Sequence, residues 1–152
     1  MAATPEGIRL LWKALEGAHE RVAPAVWDAM DIFCVARLDE MIAIASRAGE
    51  GPVPVEDARV ITALADRVRR FLQGFKRSSD GIGGVKDGVV MLSPIALELV
   101  AHYVGNDLYK IILIADVYDA FPEPLAAGAG VKIIANATMI KDFLKDLKEK
   151  TR

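Results

Sequence analysis

The stretch SPIALELVAHYVGNDLYKIILIA, Ser93 to Ala115, decides how this chain is read. It opens like a helix, because Ser93 is a capping residue and Pro94 suits the first helical position. Ile95 to Val104 carries that helix, and Gly105 is expected to end it. Beyond Gly105 two readings stand. Asp107 to Ala120 forms a further helix bearing Leu108, Ile111, Ile112 and Ala115, or Ile111–Ala115 is a short buried strand. Periodicity does not separate the two in so brief an apolar run. The first reading makes the chain mainly α, a compact helical array with a glycine-rich connection around 78–88. The second couples a helical N-terminal half to a small α/β C-terminal half, with Val89–Leu92, Lys110–Ala115 and Val131–Ala135 as strands. The helical array is the expected architecture. The alternative asks Val117 to Gly130, interrupted by Pro122 and Pro124, to serve as a parallel crossover, which is normally helical.

Outward from this stretch the helical signals accumulate. Thr4, Pro5 and Glu6 make a helix start, and Ile8, Leu11, Trp12, Leu15 and Val22 recur at helical spacing. Pro24 should kink or break the chain. From Ala25 to Arg47 a second helix is apolar on more than one side, which suits a central or interface helix. Gly49, Gly51, Pro52 and Pro54 break it. Ile61, Leu64, Ala65, Val68, Phe71, Leu72 and Phe75 stripe the clearest helix of the chain. Its other side carries Asp57, Arg59, Asp66, Arg69 and Arg70. Ser78–Gly88 follows as a mobile loop or, through an Asp87-Gly88 turn, as a hairpin joining Ile82–Lys86 to Val89–Leu92. Phe121-Pro122-Glu123-Pro124 stops the segment before it. A terminal helix from Thr138 carries Met139, Ile140, Phe143, Leu144 and Leu147.

The 152 residues suit a single domain with a substantial core, and 78–88 is the candidate sub-domain boundary. One cysteine, Cys34, leaves no internal disulfide, which points to a reducing, cytoplasmic setting. The start of the chain lacks a secretory pattern. Nineteen basic against 21 acidic residues give a charge of −2 and no global pull toward nucleic acid or anionic lipid. Apolar residues make up 53%, with a mean hydropathy of +0.26, an excess that points to a buried subunit interface. Gly88–Asn106 is the best membrane candidate, but Pro94, Glu98, His102 and Gly105 interrupt it, so no span is expected.

The motifs are sparse. Arg67, Arg69, Arg70, Lys76 and Arg77 form a basic run at a helix end and loop, where guanidinium groups match phosphate oxygens. A solvated helix end explains the same residues. Glu98 and His102, four apart in an apolar stretch, read as a buried polar pair. The 80–88 loop lacks both the G-x-G-x-x-G and the G-K-[ST] spacings of nucleotide loops. Glu16 and His19 make a lone E-x-x-H without the second motif that a di-iron bundle needs. Asp116 and Asp119 read as solvated carboxylates. Cys34 reads as a core residue, and Trp12, Trp27 and Phe33 as core or interface anchors. No cofactor, metal or catalytic residue is expected. The function expected is a non-enzymatic helical interaction or assembly subunit that self-associates as a homo-oligomer or binds a protein partner. A nucleic-acid or phosphate-binding subunit and a small-molecule α/β enzyme are the alternatives.

Overall fold

A computed structural model describes residues 5–116 and 123–152. Thr4, Asp119 and the Phe121-Pro122 stop lie outside those residues. Helix α1 spans Pro5–Ala18, α2 Pro24–Met30, α3 Ala36–Ala48, α4 Val55–Gln73, α5 Pro94–Ala115 and α6 Ala129–Lys150. A π-helical stretch, Asp31–Val35, joins α2 to α3, so Pro24 to Ala48 runs as one rod. Pro24 therefore starts a helix rather than kinking one. The break before it is made at His19 and at Val22, which bridges to Gly83.

The chain is mainly α, with one small sheet of strand order β1-β3-β2, where β1 is Lys76–Arg77, β2 Gly84–Lys86 and β3 Val89–Leu92. Strands β2 and β3 form the hairpin, with Lys86 opposite Val89. Its two turn residues, Asp87 and Gly88, both have positive φ, 53° and 76°. That is the type I′ geometry an Asp-Gly pair favours. Strand β1 adds parallel to β3. The glycine-rich connection is thus built into a sheet. Ser78 closes its entry by donating to Asp80 and to the Ile82 carbonyl.

Helices α3, α4, α5 and α6 pack in a ring, each against the next, and α1 lies along α5. The core fills the ring with Leu38, Met41, Ile61, Leu99, Ile111, Ile133 and Ile140, all essentially without exposed surface. Where α6 begins, a side chain on Gly130 would come within 3.0 Å of the Ala45 carbonyl oxygen, so glycine lets α6 approach α3. Ser93 caps α5 by accepting from the Ala96 amide, and its hydroxyl donates to Glu20, tying the helix to the loop after α1.

Three expectations are corrected. Gly105 does not end a helix: α5 continues through it to Ala115, because an interior glycine costs only about 1 kcal/mol, while Leu108, Ile111 and Ala115 extend the buried stripe. Lys110–Ala115 and Val131–Ala135 are helical, in α5 and α6, so of the strands in the α/β alternative only Val89–Leu92 is one. The last helix starts at Ala129 rather than Thr138. No helix among the described residues is long and apolar enough to cross a membrane.

Candidate interaction face

Helix α5 buries Leu99, Val104, Leu108 and Ile111 on its inner side. Ala101, Gly105, Tyr109 and Leu113, each exposed, follow one another every four residues after half-buried Leu97, in a row that winds about 40° per step around the helix. Such a row is a ridge on the helix surface of the kind that packs into the groove of another helix. Tyr109 is 60% exposed and Leu113 62%. Ala101 and Gly105 are exposed too, and a side chain placed on Gly105 would meet nothing within 4 Å. The ridge is therefore low in its first half and high in its second.

Between α4 and α5 lies a cavity of about 380 Å³, and Leu97, Ala101, Gly105 and Tyr109 of this row form part of its α5 wall. Leu72 and Phe75 line it from α4 and the segment after it, and Leu97, Leu108, Tyr109 and Ile112 from α5; Arg69 and Gln73 are its polar members. Phe75 continues the apolar surface away from the cavity. It meets Phe71 edge-on at 5.0 Å between ring centroids, and Phe71 meets Phe33 at 5.2 Å. Phe33 belongs to the π-helical stretch, where Asp31, Ile32 and Phe33 are three consecutive exposed residues and Cys34 turns inward. π-Bulges recur at functional sites. Here one places an exposed aromatic ring at the end of an aromatic row that leads to the α4–α5 cavity.

The basic run divides. Arg69 and Arg70 both pair with Asp66, Arg70 at 3.0 Å. Arg67 is exposed on α4, whereas Lys76 and Arg77 are exposed on β1. The structure thus spreads the five cations over a helix end and a strand and spends two of them on one carboxylate.

The expectation of a buried Glu98–His102 pair is corrected. Glu98 is exposed, His102 is half-buried, and the polar partner of the imidazole is Asn106, 3.4 Å from Nδ1. The buried ionisable side chain of α5 is Asp107. Burial pushes its carboxyl above the usual carboxylate range against the opposing pull of Lys110 and His102.

Glu16 pairs with Lys150 at 2.8 Å, and His19 lies beyond the end of α1 in a left-handed conformation, so the E-x-x-H pattern brings no ligands together. Among the described residues no three His, Cys, Asp or Glu side chains are grouped to hold a metal ion. Cys34 is fully buried, and burial pushes its thiol up to about 12, which leaves no thiolate for chemistry near neutrality. Asp116 is exposed at the end of α5.

The α5 ridge escaped sequence reading although its four-residue spacing is in the sequence. Reading Gly105 as a helix end cut the row in two. No protein-family model, no curated protein and no solved structure matches this chain.

Proposed function

We propose that this protein is a non-enzymatic helical assembly subunit that associates with a second copy of itself through the outer face of α5 and the α4–α5 groove. The observation that carries the reading is an apolar groove lined by Leu72, Phe75, Ile112 and Tyr109, with Leu113 exposed one turn beyond it on α5. Tyr109 stands on the wall of that groove and Leu113 one turn beyond it, so a two-fold axis lets each copy offer these side chains to the other's groove. The small residues Ala101 and Gly105 admit a close helix approach. A net charge of −2 opposes such pairing only weakly. A reducing, cytoplasmic compartment suits a chain whose one cysteine is a buried free thiol.

The nucleic-acid reading has less support, because Asp66 engages both Arg69 and Arg70. Sedimentation velocity over a concentration series tests the proposal. The expected result is a dimer for the native chain and a monomer of unchanged helicity for Leu113→Gln combined with Tyr109→Ser. A native chain that stays monomeric throughout the micromolar range overturns the proposal. Bound nucleic acid that Arg67→Glu with Arg77→Glu removes would favour the basic run instead.

A further inference from the structure

On the opposite side of α5 from the ridge, a cavity of about 470 Å³ lies between α1, α5 and α6, within the size range of small-molecule sites. Its lining combines rings and carboxylates with Met139 and Lys150. Trp12, Tyr103 and Phe143 supply rings: Tyr103 stacks on Phe143 at 4.5 Å between centroids, and Trp12 meets Phe143 edge-on at 5.7 Å. The indole N–H of Trp12 donates to the Tyr103 hydroxyl at 3.4 Å, which sets the ring's position. Asp107, Asp142 and Asp146 supply carboxylates. Asp107 is only 5% exposed and is ion-paired with Lys110 at 3.7 Å. Asp142 and Asp146 are four apart on α6, and Lys150, four residues beyond Asp146, interacts electrostatically with it.

A cation already rests on this aromatic surface. Lys150 Nζ lies 5.1 Å from the centroid of the Trp12 ring while it bonds Glu16, inside the range of cation–π attraction. The three aspartates are not grouped closely enough to hold a metal ion, and a metal ion would gain nothing from the rings. An extended cation with an apolar body uses both halves of the lining.

We infer that this cavity binds an alkylamine, its ammonium groups on Asp107 and on the Asp142–Asp146 pair and its carbon chain against Trp12, Tyr103 and Phe143. Lys150 is the internal competitor, since it holds the ring face that the ligand would take. The site is separate from the self-association face, so either proposal stands or falls without the other.

Isothermal titration of the full chain with 1,4-diaminobutane at low ionic strength tests the inference, with 1,4-butanediol and Mg²⁺ as controls. Saturable binding of the diamine alone is expected. Asp142→Asn with Asp146→Asn, both exposed and harmless to the fold, should weaken binding roughly tenfold, the loss of a charge-assisted hydrogen bond. Lys150→Gln should tighten it several-fold. No saturable heat, an equal response to Mg²⁺, or binding indifferent to the aspartate substitutions would overturn the inference. Asp107→Asn gives an independent check, because its near-isosteric amide keeps the packing and should also weaken binding.

Discussion

Helices α4 and α5 pack against each other and follow opposite plans. In α4 the buried residues Ala58, Ile61, Leu64, Ala65 and Val68 all face one way, and Asp66, Arg69 and Arg70 form ion pairs on the solvent side. In α5 the arrangement is inverted at two points: a carboxylate, Asp107, is buried, and two large apolar side chains, Tyr109 and Leu113, stand in water. Each inversion costs free energy in an isolated chain, since burying a charge forfeits hydration and exposing a large apolar side chain forfeits its transfer energy. Apart from Val60, 46% exposed, helix α4 is explained by the fold alone. In helix α5 both inversions lie at the two surfaces proposed above for a second copy and a ligand.

The inner faces should nonetheless behave alike, and this is the largest effect. Ile61 and Ile111 have no exposed surface, so Ile61→Ala and Ile111→Ala should each destabilise by about 2–5 kcal/mol in urea unfolding. A loss well under 1 kcal/mol for Ile111→Ala would remove α5 from the core and break the comparison.

Asp107→Asn comes next, and its direction is the informative part. Burial raises the carboxyl's pKa in the folded chain, against Lys110 and His102, with Asp142, Asp146 and Lys150 on the same cavity. The folded state therefore holds this proton more tightly than the unfolded state. The stability this contributes is full at pH below the unfolded value and is lost as pH rises through the folded one. Asparagine carries no such penalty. In ligand-free protein Asp107→Asn should melt a few degrees higher at pH 7, with the gap closing as pH falls toward 4. A lower melting temperature at pH 7 would mean that Lys110 more than offsets the burial.

On α4 the corresponding polar change is small. Asp66→Ala should cost about 0.5 kcal/mol, less in high salt, because exposed ion pairs are screened. The smallest stability effect belongs to Leu113→Gln, which should stay within about 0.5 kcal/mol of the native chain in dilute monomer while it weakens self-association. A large destabilisation of the monomer would show that Leu113 serves the fold itself and would erase the contrast with α4.

How much of this was legible depended on the range of the interaction. The α4 stripe, the Asp87-Gly88 turn and the Ser93 cap rest on neighbours within four residues, and sequence reading located all three. Continuity of α5 through Gly105 was not legible. A glycine followed by polar Asn106 carries the local signature of a helix end, and only the burial of Leu108, Ile111 and Ala115 against the ring outweighs it. The short apolar runs at 111–115 and 131–135 were ambiguous for the same reason: they satisfy strand and helix alike until neighbours are present. Of the sites, the cations at Arg67 to Arg77 were visible, but their pairing with Asp66 was only suggested. The burial of Asp107 gave no signal, because a lone aspartate in an apolar helix reads the same whether it faces in or out.

By itself the sequence determined that this is a mainly helical chain with more apolar residues than charge can balance, and it offered Asp87-Gly88 as a turn. Those properties follow from local backbone preference and composition. Only the tertiary structure decided that Trp12, Tyr103 and Phe143 share one cavity although the indole and the phenol it bonds are 91 positions apart, and that Tyr109 and Leu113 remain outside the core. Both outcomes depend on which helix faces meet. That is set by the summed packing of the α3–α6 ring, a quantity no window along the chain contains.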